Sequence, residues 1–212
     1  MKNKIIIAVL VFFLGSTAAS CIWGSCDPVP PFFKIQGMES FNMKYNNSET
    51  NTFETIIDNE PVSWENFMIR YEFDVTYLAQ NITNYGSELY ALSCNDPGYM
   101  GDTIGIDTFY VKTMTYYNEM YSSGDTINEI ILANIWSYNK DDFNNFKTIS
   151  EYINENKEGI IADEFDIKLT QAPLLQDTFT FQLIYILNNG DVISQTSQPV
   201  VLNSGIQTNK FL

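Results

Sequence analysis

The chain has 212 residues, 45% of them apolar and 15% aromatic, enough to close one sizeable core or two small ones and too rich in rings for a disordered tail. Its 26 acids outnumber 11 bases, a formal charge of −15 at pH 7, which excludes the basic face of a nucleic-acid binder. Histidine is absent, so Ser-His and Cys-His nucleophile pairs and imidazole metal ligands are excluded too.

Lys2 and Lys4 precede an unbroken apolar run, Ile5 to Leu14, and then the small residues Gly15, Ser16, Thr17, Ala18, Ala19 and Ser20. A basic start, a short apolar stretch and a small-residue end predict a secretory signal over residues 1–20. The apolar run is too short to cross ~30 Å of hydrocarbon as a helix. The next residue is Cys21, and Ala18-Ala19-Ser20-Cys21 resembles a bacterial lipobox, in which the cysteine is acylated and becomes the first residue of the mature chain. That resemblance implies lipidation of Cys21, and several acyl chains on one residue anchor stably. Cleavage there removes two lysines and no acid, taking the charge from −15 to −17. Such a surface stays soluble and avoids anionic lipid and nucleic acid.

Residues 21–31 read as a tether, extended and stiffened by Pro28, Pro30 and Pro31. Cys26 and Cys94 remain. Export places them in an oxidising compartment, where two thiols usually pair. A Cys26–Cys94 bridge would close a loop of about 70 residues, on the order of 4 kcal/mol by chain entropy. The alternative is a free, buried Cys94.

Beyond the tether, Phe67, Ile69, Tyr71, Phe73, Val75 and Tyr77 alternate with Arg70, Glu72, Asp74 and Thr76, which predicts a strand with one wet face. Ile104 to Thr115 is strand-like with a phase slip, and a bulge at Asp107-Thr108 explains the slip. Thr126 and Glu129 have capping-box spacing before Ile130, Ile131 and Leu132, a segment that reads as helix or strand. Asp141 or Asp142 can cap a helix carrying Phe143, Phe146, Ile149 and Ile153 on one face, with Gly159 past its end. Phe165, Ile167 and Leu169 alternate with Asp166, Lys168 and Thr170. Thr178 to Leu187 and Asp191 to Leu202 form a hairpin about Asn189-Gly190, and Pro199 marks an end or an edge. Together these predict a mainly β chain, an antiparallel immunoglobulin-like β-sandwich over 32–212 with one or two short helices. Glu65 to Tyr71 also parallels Asp163 to Leu169 in pattern. Both are ordinary alternating strands, or else a duplication dividing the chain into two small β-units, about 32–100 and 101–212.

The lipobox, Ala91-Leu92-Ser93-Cys94, Thr103-Ile104-Gly105-Ile106, Tyr116-Tyr117-Asn118, the stretch from Ser122 to Glu129, and the closing strands Phe165 to Leu169 and Phe179 to Leu183 resemble the roughly 200-residue lipoproteins of unknown function found in Bacteroidetes. The resemblance implies a place in the outer membrane and carries no catalytic residue to transfer. Surface export in that phylum goes with acids directly after the lipidated cysteine. Here Ile22, Trp23, Gly24 and Ser25 follow, which tilts the expectation toward the periplasmic face over the cell surface. Asp102-Thr103-Ile104 and Asp125-Thr126-Ile127 resemble its Asp-Thr-aliphatic O-glycosylation acceptors, a pattern short enough to arise by chance.

Several chemistries remain. A glycosidase needs two carboxylates about 5–10 Å apart, one with a raised pKa; Asp141, Asp142, Asp163 and Glu164 instead read as cap and strand-face residues. Asn95, Asp96, Gly98 and Asp102 cluster as a calcium loop would, but Pro97 and the spacing fit no EF-hand, so this is a plain loop. No Gly-rich phosphate loop is present, and no metal or cofactor is expected. Tyr116, Tyr117, Tyr121 and Trp136 are candidates for a sugar-stacking platform, with core packing as the plainer account of the same rings. The leading expectation is a non-catalytic, lipid-anchored envelope component acting through protein contacts. Glycan binding through exposed Tyr and Trp is the second reading, and a carboxylate hydrolase the third.

Overall fold

A computed structural model describes residues 29–46, 52–57, 60–78, 95–135 and 146–204. In chain order these form β1 (Phe32–Asn46), β2 (Thr52–Thr55), β3 (Val62–Ser63), a 3-10 turn (Trp64–Asn66), β4 (Phe67–Leu78), β5 (Ile106–Thr113), a second 3-10 turn (Asn128–Ile130), β6 (Ile131–Ile135), β7 (Lys147–Thr148), α1 (Ile149–Glu155), β8 (Glu164–Leu169), β9 (Asp177–Phe179), β10 (Phe181–Leu187), β11 (Val192–Thr196) and β12 (Val200–Asn203). The expected secretory signal, Cys21, Cys26, Cys94, Trp136, Asp141, Asp142 and Phe143 lie outside the described residues.

The chain is mainly β. One sheet runs β2-β1-β4-β8-β6-β7, a second β11-β10-β5, and a short third β3-β12-β9. Pairing is antiparallel except between β12 and β3. In chain order, β1, β4, β6 and β8 take the places of strands A, B, D and E, and β5, β10 and β11 those of C, F and G, in the ABED/CFG connectivity of a seven-stranded sandwich.

Alternation sets the core as predicted. Phe67, Ile69, Tyr71 and Phe73 turn inward from β4, while Glu72 and Asp74 face water. Tyr71 lies directly opposite Phe165 on β8 and stacks on it at 5.2 Å. Phe109 lies opposite Tyr185 in the second sheet and stacks at 5.8 Å. The two pairs meet across the interface, Phe73 edge-on to Tyr185 at 5.3 Å and Phe109 at 6.1 Å from Phe165. Each buried ring stabilises the fold by on the order of 3 kcal/mol. One cluster of buried side chains, from Phe33 to Leu202, spans both halves of the chain. Residues of 32–100 and of 101–212 thus share one cluster. β4 from one half is hydrogen-bonded to β8 from the other, so the similar segments Glu65 to Tyr71 and Asp163 to Leu169 are neighbours in one sheet.

The last hairpin turns at Asn189-Gly190 as expected, with Gly190 at φ +87° and its amide donating to the Leu187 carbonyl. Its two arms then change sheets. Ser197 stands in the break between β11 and β12. Its amide donates to the Phe181 carbonyl at 2.8 Å, and its hydroxyl accepts from the Phe181 amide at 3.0 Å. One residue thus satisfies both backbone groups of Phe181 where the regular ladder stops. Pro199, which has no amide to donate, falls in the same break.

In β5, Thr108 opposes Ile186 and Ile106 opposes Leu187, leaving Asp107 as the extra residue of the expected bulge. The Thr126–Glu129 spacing does not make an α-helix. A 3-10 turn covers Asn128–Ile130, and the apolar stretch that begins at Ile131 continues as β6. Asn128 is engaged elsewhere: its side-chain oxygen accepts from the Val111 amide at 2.8 Å, and its side-chain nitrogen donates to the Phe109 carbonyl at 2.9 Å. The α-helix starts later than expected. Thr148 caps it, its hydroxyl accepting from the Glu151 amide while the Glu151 carboxylate accepts from the Thr148 amide.

Candidate functional site

The sandwich has two ends. The chain enters at the one holding the start of β1, the ends of β4 and β6, and the start of β8. There the turn after Asn95 docks on the incoming strand. The Gly98 amide donates to the Pro30 carbonyl and the Met100 amide to the Pro31 carbonyl, each at 2.7 Å, and the Phe33 amide donates to the Gly101 carbonyl at 3.1 Å. Asp102 turns inward and is buried. Its carboxylate accepts from the Ile35 and Ile104 amides, both at 2.9 Å. Two backbone donors thus hold this carboxylate in the loop. Among the described residues no group of three Asp, Glu, Cys or His is placed to hold a metal. Gly105 lies so close to the Lys157 carbonyl that a Cβ there would stand 1.9 Å from the oxygen.

A groove of about 950 Å³ opens beside this turn. Its apolar walls are Phe33, Tyr77, Tyr99 and Ile161, and its carboxylates are Asp96, Glu155, Asp163 and Glu164. Tyr77 is 45% exposed, Tyr99 39% and Ile161 71%, with Leu78 and Met100 exposed at the same end. Glu155 pairs with Lys147. Glu164 lies 3.9 Å from Arg70, yet burial pushes its carboxyl above the usual range, with Asp166, Glu72 and Asp163 adding to the push. A half-dry acid among other acids gives this groove a negative field against apolar walls. That combination favours a cationic, apolar ligand over an anionic one. The groove thus unites two stretches flagged separately in the sequence, Asn95 to Asp102 and Asp163-Glu164. Its apolar rim was not foreseen. The signal for it was Ile160-Ile161, a β-branched pair next to a charge-rich stretch.

The tyrosine platform does not form as expected. Tyr117 is fully buried, edge-on to Phe179 at 5.4 Å, and its hydroxyl donates to the Gln171 carbonyl at 2.6 Å. Tyr121 is buried and its hydroxyl donates to Glu129 at 3.3 Å. Of the described candidates only Tyr116 is exposed. Packing uses the other two rings because a large ring removes more apolar area from water inside than at the surface.

Among the described residues no helix is long and apolar enough to cross a membrane. No family model matches this chain, and neither a curated protein nor a solved structure does so.

Proposed function

We propose that this chain is a non-catalytic, lipid-anchored component of the bacterial envelope that holds a partner protein in the groove at its tether end. The observation that supports the reading is the gathering of Tyr77, Leu78, Tyr99, Met100 and Ile161, all exposed, around acidic residues at the end where Pro30 leads in. Eight residues lie between Cys21 and Pro30, and the nine steps across them reach no further than about 32 Å when extended. An acyl chain on Cys21 keeps the groove that close to the membrane. The partner segment is basic and apolar, matched to the field and walls. The anchor belongs to an outer-membrane lipoprotein of the Bacteroidetes kind, the architecture is the immunoglobulin-like sandwich in its strict sense, and Cys26 pairs with Cys94.

A photo-crosslinking residue placed at Ile161 and, as a control, at Met120 on the far end tests this in intact cells. One discrete adduct from Ile161 and none from Met120 is the expected result; no adduct at Ile161, or equal adducts at both, refutes it. Cys21→Ala is expected to abolish fatty-acid labelling and membrane fractionation. Thiol titration of the oxidised chain is expected to find no free thiol.

Glycan binding is the second reading, favoured by Tyr77 and Tyr99 lining one groove beside carboxylates that can accept sugar hydroxyls. Retardation by a neutral polysaccharide in affinity gels, lost on Tyr99→Ala, supports it over the protein partner.

A further inference from the structure

The opposite end of the molecule carries a second, unrelated cavity. On the outer face of the larger sheet, Lys168 stands between Met68 of β4 and Leu132 of β6. A cavity of about 210 Å³ opens over it, walled by Tyr45, Phe53, Phe67, Met68 and Phe146. The Tyr45 and Phe53 rings lie 5.2 Å apart. The Lys168 ammonium sits 4.1 Å from the centre of the Phe146 ring.

Among the described residues Lys34, Lys112, Lys157 and Lys168 have no carboxylate within 4.0 Å, and of these four Lys168 stands over an aromatic ring. Lys44, Arg70 and Lys147 each meet carboxylates. Lys168 is half-buried, and among the described residues no carboxylate lies within 4.0 Å of it. Desolvation lowers its pKa. Glu65 also lines the cavity, but it is exposed, where water and salt screen its charge. Among the described residues this partly dry ammonium, facing aromatic walls, has no counter-ion of its own.

We propose that this cavity binds a small amphiphilic acid, its monoanionic head paired with Lys168 and its apolar body packed on Phe146, Tyr45, Phe53 and Met68. The space equals that of roughly seven waters, the bulk of one substituted ring. A neutral sugar leaves the ammonium unpaired, and a cation is repelled by it. Lysine is a point charge and does not distinguish carboxylate from phosphonate heads, so the shared chemistry is the single negative charge. The site differs in sign and in place from the tether-end groove and does not rest on it.

Calorimetric titration of the full chain in zwitterionic nanodiscs tests the proposal, using 3-phenylpropionate, uncharged 3-phenylpropanamide and 3-phenylpropylammonium. The acid is expected to bind at least about tenfold more tightly than the amide, and the amine not at all. Lys168→Met keeps the stem over Phe146 and is expected to erase the preference while amide binding stays. Lys168→Arg is expected to retain it, which separates loss of charge from loss of fold. Phe146→Ala is expected to weaken acid and amide alike. Equal affinities for the three probes, an acid preference that survives Lys168→Met, or no acid binding at about 1 mM overturns the site.

Discussion

Arg70 and Asp166 face each other across β4 and β8, joined by two side-by-side hydrogen bonds, Nε to Oδ1 at 2.9 Å and Nη2 to Oδ2 at 3.1 Å. Their side chains are only 15% and 3% exposed. Removing Arg70 strands Asp166 in a dry place, and removing Asp166 takes the two short bonds from a part-buried guanidinium that keeps Glu164 at 3.9 Å. Asp166→Ala is expected to cost about 3 kcal/mol in urea unfolding, and Arg70→Met combined with Asp166→Leu to recover most of it. Additive losses in the double variant would contradict this account of the pair.

Stability should rise on mild acidification. Burial pushes the Asp166 carboxyl up more than Arg70 draws it down, and Glu164 is raised for the same first cause. Between the ordinary carboxylate value near 4 and the raised ones, the folded chain binds more protons than the unfolded chain. Stability there falls as pH rises. Discharging a surface of −15 works in the same direction. Glu151 opposes it, its carboxyl lowered by the Thr148 hydroxyl and amide, but that cap is exposed. Tm is expected to increase as the pH is lowered from neutral toward the ordinary carboxylate value near 4, and by less in Glu164→Gln. A Tm that falls over this interval contradicts the assignment.

Asn128 closes the outer edge of β5 by copying a backbone amide. Asn128→Ala strips partners from the Val111 amide and the Phe109 carbonyl, an expected loss of about 2 kcal/mol. It also leaves part of an edge strand open, so concentration-dependent association should appear in sedimentation. Asn128→Asp keeps the acceptor and loses the donor, and should fall between.

Gly105 and Gly190 separate two reasons for glycine. At Gly105 a methyl group meets the Lys157 carbonyl, so Gly105→Ala must move backbone and is expected to cost about 3 kcal/mol. At Gly190 the space is open and only φ is at issue, so Gly190→Ala is expected to cost about 1 kcal/mol. Chemical denaturation of both variants reads the difference directly.

The period-two strands, the Asn-Gly turn and the Asp107 bulge were legible because each is written within about ten residues. The Thr148-Ile149-Ser150-Glu151 cap was also written locally. The same spacing at Thr126 competes with it, and only the edge of β5, which claims Asn128, decides between them. The Arg70–Asp166 pair and the groove were not legible. Their members are brought together by pairing between distant strands, and no local pattern records that. Tyr117 and Tyr121 show the matching ambiguity: a ring in a polar stretch looks alike in sequence whether it faces water or Phe179.

The hydrogen bonds that hold the turn at Gly98 to Gly101 against Pro30, Pro31 and Phe33 also form the junction between the tether and the groove wall. If Cys21 is held in a membrane and a partner occupies the groove, part of the tension between them crosses this narrow strip. Substitutions in this short backbone seam are then expected to shorten the stay of a loaded partner as well as to cost some stability.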